Sequence, residues 1–359
     1  MKKTKNILVC PLDWGLGHAT RIVPVVEMLK NKGANVIIAA DNSPMDFLKQ
    51  RFADCEFVKL PGFEPRYPKG NKMALKMALQ YPLMMNAAAK AKKVLGSIVE
   101  NRYIDIIISD NRYEICHPKT YSVLITHQIN IQTKGVQNIF KPIINNRLKN
   151  YLMKFDELWI PDVEGEGNLS GNLSHGTRIP NPSYYYIGPL SRFAKYAIDD
   201  VPIKNDLMVI LSGPEPQRSI FEGKLESQLL RTDLKTVMLS AKPNSSEIEE
   251  SANILKLPHL PDKEFAKAIM ESGIIVSRPG YSSLMDLAHF GKKAIFIPTP
   301  GQTEQEYLAE RFGKTYNYLW QEQDALDICE AIKESRKYKA LKLRNDYKTL
   351  KGRIEFLIS

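Results

Sequence analysis

Two short motifs place reactive side chains beside glycine turns. The first, G-L-G-H-A-T-R at 15–21, puts His18 after an apolar run and at the start of a helical segment. Glycines let the backbone approach a ligand closely, and free N–H groups at a helix start favour a negative charge. Histidine titrates near neutral pH, so His18 is suited to take a proton from a bound hydroxyl. The alternative is an ordinary glycine turn with an incidental histidine.

The second motif is S-R-P-G-Y-S-S-L-M-D at 277–286. A strand ends in a Pro-Gly turn, two serines open a helix, and Asp286 lies one turn further on. This spacing fits a phosphate at the helix end and a ribose held by the carboxylate. The alternative is helix capping by Ser282 or Ser283. Two weaker candidates are the turn at 211–215 and the polar loop at 298–306.

Each of these candidates follows a short apolar run that predicts a buried strand. Strands that alternate with helices predict an α/β fold with doubly wound parallel sheets, which bind ligands at the carboxyl ends of their strands. The predicted strands are 6–10, 35–40, 55–60, 105–109, 122–126, 157–160, 207–211, 236–239, 274–276 and 294–297. The predicted helices include 19–32, 43–52, a long stretch to about 101 that is broken or kinked near Pro82, and one at 341–357.

These motifs resemble those of GT-B glycosyltransferases of family 28, of the MurG type. T-H-Q-I-N at 126–130 and I-G-P-L-S-R at 187–192 extend the resemblance over nearly the whole chain. The resemblance implies two Rossmann-like domains that face a central cleft. It divides the chain into an acceptor-binding domain at 1–190, a linker at 191–206, a nucleotide-sugar donor domain at 207–340, and a helix at about 341–359 that packs back on the first domain.

The resemblance also implies a role for each matching residue. Asp286 would hold the ribose, and Glu306 stands where a second glutamine is more usual. The implied diphosphate contacts are Gly280, Tyr281, Ser282 and Ser283, with Ser212 and Gly213 beside them. The base would lie by the backbone of His259 and Leu260, and the donor sugar by Gln305 and Glu306. Gly17 and Arg278 are the remaining residues implied to bind the nucleotide-sugar donor. The residues implied to bind the acceptor substrate are Asn111, His127, Gln128 and Asn130.

The implied reaction is attack of an acceptor hydroxyl on the anomeric carbon of a nucleotide-sugar, with a UDP-linked donor expected. His18 would be the base, and Asp110, at the end of a predicted strand, would orient its imidazole. The sequence has no convincing D-x-D metal site, because Asp199-Asp200 falls in the linker, and its four cysteines form no C-x-x-C pair. We therefore predict inverting, metal-independent transfer without a cofactor, in a role such as cell-envelope polysaccharide synthesis.

Two other functions stay open. The form G-x-G-H-x-x-R also resembles PseG-type nucleotide-sugar hydrolases. The net charge of +10 is concentrated at 69–99, with six lysines and no acid, and at 331–359, with nine basic and three acidic residues. Such basic stretches attract nucleic acid or an anionic membrane. No nucleic-acid-binding motif is present, so specific nucleic-acid binding is not expected.

The lysines at 69–93 alternate with apolar residues, which suits either peripheral contact with an anionic membrane or an ordinary surface helix. No apolar run approaches the roughly 20 residues of a membrane span, and no signal peptide is recognisable. We therefore expect a cytoplasmic protein, with the inner face of the membrane as its site of peripheral contact.

Overall fold

The structure is a computed structural model that describes residues 4–70, 73–133, 135–177, 179, 182–196, 201–241, 246–335, 337–343 and 346–359. The chain divides into two compact units. Unit 1 comprises residues 1–65, 79–191 and 345–359, and unit 2 comprises residues 66–78 and 192–344. Residues 197–200 of the predicted linker, with Asp199-Asp200, lie outside the described residues.

Strands and helices alternate along both units. The strands are β1 (Asn6–Pro11), β2 (Asn35–Ala40), β3 (Glu56–Lys59), β4 (Ile106–Asp110), β5 (Tyr121–Ile125), β6 (Glu157–Ile160), β7 (Ser183–Tyr186), β8 (Asn205–Ile210), β9 (Thr236–Leu239), β10 (Glu249–Ser251), β11 (Ile254–Leu257), β12 (Ser272–Ser277), β13 (Ala294–Phe296) and β14 (Leu319–Trp320). The helices are α1 (Leu16–Asn31), α2 (Asn42–Arg51), α3 (Met73–Arg102), α4 (Lys141–Leu152), α5 (Gln217–Leu229), α6 (Asp262–Met270), α7 (Tyr281–Phe290), α8 (Thr303–Tyr316), α9 (Ile328–Ser335) and α10 (Lys348–Ile358).

The sheet of unit 1 is fully parallel, in the order β3-β2-β1-β4-β5-β6-β7. Its central strands β1 and β4 are mostly apolar and buried, as expected when helices cover both faces of a parallel sheet. One core joins β1 and β2 to α3, through residues such as Leu8, Ile37 and Leu95. Another joins β5 and β6 to α4, through residues such as Leu124 and Leu148.

The sheet of unit 2 has the order β10-β11-β9-β8-β12-β13-β14. Every neighbouring pair is parallel except β10 and β11, which form an antiparallel edge. The buried core joins β8, β9 and β12 to α5 and α9. The two sheets confirm the predicted α/β fold class.

In each sheet the strand order reverses beside the first strand. In unit 1 the chain goes from β1 outward to β2 and β3, then returns to β4 on the other side of β1. In unit 2 it goes from β8 outward to β9, and β12 returns to the other side of β8. Ligands of doubly wound sheets bind at the carboxyl ends of the strands at such a switch point.

Two sequence predictions differ from the structure. Pro82 lies inside α3, which continues through it as one helix, so a break there was wrong. The last helix begins at Lys348 instead of residue 341. At the start of the segment predicted as a linker, Phe193 is fully buried against Phe265 and Phe290. Among the described residues, no helix is long and apolar enough to cross a membrane.

Candidate functional site

His18 lies in the first turn of α1, directly after the turn that follows β1. β1 ends at Pro11, and α1 begins at Leu16 with Gly15 at its N-cap. Gly15 has φ 76°, a left-handed conformation that glycine adopts without the steric cost of a Cβ. The glycine therefore allows the sharp turn that places His18 at the carboxyl edge of the sheet.

Asp110 is the last residue of β4, the strand on the other side of the switch point from α1. Its Oδ2 lies 3.1 Å from Nδ1 of His18, and the side chains of Asp110 and His18 are 0% and 15% exposed. An ionised carboxylate only accepts hydrogen bonds, so Nδ1–H of His18 donates to Asp110. This tautomer leaves the lone pair on Nε2, the atom that would take a proton.

Arg21, one helical turn after His18, fixes the charge of this pair. Its Nε donates to both oxygens of Asp110 at 2.8 and 2.9 Å, and its Nη2 also donates to Oδ1. Burial alone would raise the pKa of Asp110, but Arg21 and His18 outweigh it and hold that pKa below its usual value. Burial and then Arg21 lower the pKa of His18, more than Asp110 raises it. His18 is therefore neutral at neutral pH and able to accept a proton.

His127 ends this network. It follows β5, is buried, and has Nδ1 3.0 Å from Nη1 of Arg21. Because guanidinium only donates, Nδ1 of His127 must accept, and any ring proton sits on Nε2. The structure thus joins His127, an expected acceptor contact, to the His18–Asp110 pair.

The turn after β4 and the loop after β5 support each other. Asn111 has φ 57°, and its Oδ1 accepts from the hydroxyls of Tyr113 at 3.1 Å and Thr126 at 2.9 Å. The amide N–H of Gln128 donates to Oγ1 of Thr126 at 3.0 Å, and its carbonyl accepts from Tyr113 at 3.2 Å. The Oδ1 of Asn111 therefore braces the two loops in this structure.

Asp162, just past β6, organises the loop that contacts Ile129 and Asn130. Its buried carboxylate accepts from the backbone N–H groups of Leu169 and Ser170 at 2.8 Å and from the hydroxyl of Ser170 at 2.6 Å. The ordered loop presents the carbonyl of Leu173 to the amides of Ile129 and Asn130 at 2.9 and 3.0 Å. Asn130 also donates from Nδ2 to the carbonyl of residue 172 at 3.0 Å.

A second buried carboxylate, Asp13, lies in the turn before His18. It is 3% exposed, neither of its oxygens has a hydrogen-bond partner, and Nη1 of Arg112 is 3.8 Å away. Burial raises the pKa of Asp13 to about 6, against the opposing charge of Arg112. Gly62 packs on it so closely that a Cβ there would lie 1.4 Å from Oδ2. Gly62 therefore leaves space for Asp13.

In unit 2 the predicted donor residues lie in turns at the carboxyl edge of the sheet. Ser212 and Gly213 follow β8, and Gly213 has φ 96°. His259 and Leu260 lie between β11 and α6. Gly280 is the N-cap of α7, Tyr281, Ser282 and Ser283 form its first turn, and Asp286 lies in the second turn. The N-cap residue of α7 is Gly280, so Ser282 and Ser283 lie inside the first turn instead of at the capping position.

Arg278 is 1% exposed and points into the unit instead of into solvent. Its Nη1 donates to the carbonyls of Ile297 and Pro298 at 2.9 and 3.0 Å, and Nη2 to that of Gln217 at 3.2 Å and to Oε1 of Gln323. Burial lowers the pKa of Arg278 to about 9. Arg278 therefore holds the turns after β8, β12 and β13 together.

Gln305 and Glu306 order the loop between β13 and α8. Oε1 of Gln305 accepts from the amide of Thr299 at 2.7 Å, and Oε1 of Glu306 accepts from that of Gly301 at 2.8 Å. Within the described residues, no group of three or more His, Cys, Asp or Glu side chains is placed to hold a metal ion.

Sequence reasoning missed Gln217, Gln323, Asp162 and Asp13, and it assigned no role to Arg21. Arg21 had a signal, since it closes the G-x-G-H-x-x-R motif three residues after His18. The others make their contacts with residues distant in the sequence, and no local pattern marks them.

Residues 225–352 match the family model of the glycosyltransferase family 28 C-terminal domain. No curated protein matches the chain in sequence. Solved structures similar in fold include MurG from Acinetobacter baumannii, which is 13% identical with a TM-score of 0.55, over 98% of this chain and 99% of that one. The glycotransferase of kitacinnamycin is 13% identical with a TM-score of 0.63, over 99% of this chain and 94% of that one. UGT89C1 from Arabidopsis thaliana, in complex with UDP, is 14% identical with a TM-score of 0.63, over the same shares.

The solved structures establish the two-domain GT-B fold for the whole chain, and the family match adds a family 28 donor-type domain. The chain therefore has the GT-B fold and carries a domain of the glycosyltransferase family 28 C-terminal type at 225–352, in agreement with the resemblance found in the sequence.

Proposed function

We propose that this protein transfers a sugar from a UDP-linked nucleotide-sugar to an acceptor hydroxyl, with inversion at the anomeric carbon and without a metal ion. The observation that supports His18 as the general base is the hydrogen bond between its Nδ1 and Asp110 at the switch point of unit 1. The family 28 match of residues 225–352 supports a nucleotide-sugar as the donor.

In the proposed step the acceptor hydroxyl loses its proton to Nε2 of His18. Its oxygen forms a bond to the anomeric carbon, while the bond from that carbon to the diphosphate breaks and the electron pair leaves with the diphosphate. A sugar hydroxyl is a weak nucleophile, and general-base catalysis by a residue near neutral pKa contributes about 10²- to 10⁴-fold. Asp110 would stabilise the imidazolium that forms. One direct displacement inverts the anomeric centre.

Negative charge that develops on the leaving diphosphate needs stabilisation within unit 2. The start of α7 presents backbone N–H groups behind a glycine N-cap, and the turn after β8 leads into α5. Helix N-termini favour anions through these N–H groups and the helix dipole. We assign the diphosphate to these turns and the ribose to Asp286, and the UDP bound to UGT89C1 supports uridine as the base.

The loop after β5 is the proposed acceptor-recognition segment. Gln128 and Asn130 have their backbone fixed from both sides, by Thr126 and by the loop that Asp162 orders. A rigid loop positions hydrogen-bonding groups at low entropic cost, which favours recognition of a polar acceptor such as a sugar.

The release of nucleoside diphosphate from a panel of nucleotide-sugars tests this function. Transfer predicts release that requires an added acceptor, is unchanged by a metal chelator, and falls about 10²- to 10⁴-fold in His18→Ala. His117→Ala, at the amino end of the sheet, is the matched control. Release at the full rate without any acceptor identifies a hydrolase instead. No release from any nucleotide-sugar, together with salt-sensitive binding of random oligonucleotides, would reject both the transferase and the hydrolase.

We also propose that unit 1 touches an anionic lipid surface. Leu83 on α3 and Phe140 and Ile143 at the start of α4 are more than half exposed. Arg147 of α4 lies 5.7 Å above the ring of Tyr81 of α3, so the two helices are neighbours there. Neither 69–99 nor 134–155 contains an acid, and exposed apolar residues among lysines and arginines suit an anionic membrane.

Co-sedimentation with phosphatidylcholine vesicles, with and without phosphatidylglycerol, tests this contact. We expect binding only to the anionic vesicles, weakened by salt and by the double substitution Leu83→Ser with Phe140→Ser. Leu230→Ser, an exposed leucine of unit 2, is the control. Equal binding by the double variant and the wild type would contradict the contact.

A further inference from the structure

A short stretch of the N-terminal half is built into unit 2. The chain leaves unit 1 after Pro65, runs through unit 2 over residues 66–78, and returns to unit 1 at Leu79. We call residues 66–70, the part of this stretch that precedes α3, the strap. Its sequence is R-Y-P-K-G, and Arg66 and Lys69 are exposed.

Gln217 holds the strap in place. Its side chain is 1% exposed, and Nε2 donates to the carbonyls of Pro68 and Lys69, both at 3.0 Å. Its Oε1 accepts from Nε2 of Gln323 at 3.1 Å. Both donors and the acceptor of this buried amide are therefore used, and two of its three bonds go to the strap.

Gln217 also marks the place in unit 2 where the strap arrives. It is the first residue of α5 and lies four residues after Gly213, at the carboxyl end of β8. Its carbonyl accepts from Arg278, which follows β12 across the switch point. The strap therefore lies at the edge of the sheet where doubly wound folds bind their ligands.

Arg278 is a buried cation beside the strap. Its printed partners are carbonyl oxygens and the amide oxygen of Gln323, and its Nε has no hydrogen-bond partner among the described residues. A buried cation without a counter-ion is costly, and an anionic ligand nearby offsets that cost.

Tyr67, in the middle of the strap, is partly buried. Burial raises the pKa of its phenol to about 12, with a smaller contribution from the charge of Glu304 in the first turn of α8. The ring of Tyr67 therefore packs against the protein, and the strap is held by this ring as well as by the carbonyls that Gln217 binds.

We infer that the strap is a wall of the donor site, that Lys69 supplies positive charge to the donor diphosphate, and that Gln217 is the positioning residue that holds it there. This inference rests on the proposed function, since it deepens the description of the same donor site. It makes donor binding depend on a residue from the N-terminal half of the chain.

Calorimetry of the full chain tests the strap, with the tightest-binding nucleoside diphosphate of a panel and the matching uncharged nucleoside. Lys69→Ala should weaken the diphosphate about five- to tenfold and leave the nucleoside unchanged, because a charge-assisted contact to phosphate is lost. Lys69→Arg should retain affinity. Lys90→Ala, an exposed lysine of α3 in unit 1, is the matched control.

The role of Gln217 is tested by Gln217→Met, which keeps the side-chain length and removes both N–H donors. It should weaken the diphosphate selectively, and the double variant with Lys69→Ala should bind no more weakly than Lys69→Ala alone, because both act through the strap. Additive losses would overturn the positioning role. If Gln217→Met does not fold, the Lys69 variants still decide the inference.

The calorimetry distinguishes a failure of the strap inference from a failure of the proposed function. If the wild type binds the diphosphate and Lys69→Ala binds it equally well, the inference about the strap is wrong and the proposed function stands. The same holds if Lys69→Ala weakens the nucleoside and the diphosphate equally. No binding of any nucleoside diphosphate by the wild type overturns the proposed function and the strap with it.

Discussion

Four side chains set the protonation state of the proposed base. Asp110 accepts from His18 and Arg21, Arg21 donates to His127, and all four meet at the carboxyl ends of the neighbouring strands β1 and β4. The buried ion pair keeps Asp110 ionised, while burial and Arg21 keep His18 neutral. The residues that orient the imidazole of His18 thus also set its pKa.

The pH dependence of transfer should follow His18. Its pKa is lowered, so the neutral base persists below the usual histidine value of about 6.5. We expect kcat/KM to stay level from neutral pH downward and to fall only as the pH drops through this lowered pKa. A pH–rate profile measures it, and an acid limb above pH 7 that His18→Ala leaves unchanged would contradict the assignment.

Asp110→Asn should harm both activity and stability. The amide cannot stabilise an imidazolium, and the buried Arg21 loses its counter-ion, which costs about 3–5 kcal/mol. We expect kcat to fall by at least about 10²-fold and the melting temperature to drop. Steady-state kinetics and thermal unfolding measure both effects, with Asp156→Asn on the surface as control. Full activity in Asp110→Asn would remove the carboxylate from the mechanism.

Asp13→Asn should stabilise the protein at neutral pH. A folded pKa of about 6, above the unfolded value, means that ionised Asp13 destabilises the fold above pH 6 by on the order of 2–3 kcal/mol. Arg112 keeps an ion pair with Glu114 at 2.9 Å when the Asp13 charge is removed. Urea unfolding should show a gain at pH 7.5 that shrinks as the pH falls towards 4. A gain independent of pH, or one shared by the exposed Asp233→Asn, would contradict this.

Among the helices and strands, parallel topology explains why motifs distant in sequence meet. Apolar runs predicted the strands that flank each switch point, and the carboxyl ends of parallel strands share one edge of the sheet. The pairing of His18 with Asp110 was therefore predictable from the sequence. The short edge strands β10 and β14 were not, because two or three residues give too little periodicity.

Other parts of the structure lay beyond sequence reasoning because long-range contacts decide them. α3 tolerates Pro82 since an exposed turn can leave a carbonyl to solvent. The inward direction of Arg278 depends on carbonyls at 297 and 298 and on Gln323. The strap depends on one glutamine almost 150 residues away in the chain.

The loop ordered by Asp162 should control acceptor binding. In Asp162→Asn an N–H₂ group replaces one carboxylate oxygen and faces N–H donors, so the loop loosens and releases Ile129 and Asn130. We expect the KM for acceptor to rise about tenfold, with unchanged affinity for nucleoside diphosphate. Asp156→Asn, which loses one similar contact at the other end of β6, is the control. Equal losses of donor and acceptor binding would argue against this role.

For the whole molecule, the chain crosses between the units more than once. Residues 345–359 return to unit 1, where Arg353 of α10 pairs with Glu157 and lies 4.3 Å above the ring of Tyr185. Together with residues 66–78 in unit 2, this means that neither half of the sequence forms a unit by itself. A fragment that ends at residue 190 would lack α10 and would carry the strap without Gln217.

The central claim is that unit 2 binds the nucleoside diphosphate of a sugar donor through the turn and helix at 277–286. Isothermal calorimetry with a panel of nucleoside diphosphates, on the wild type, Asp286→Ala and the control Asp233→Ala, tests it most directly. We predict binding of uridine diphosphate that Asp286→Ala weakens at least about tenfold and Asp233→Ala leaves unchanged. No binding by the wild type, or equal binding by Asp286→Ala, would contradict the account.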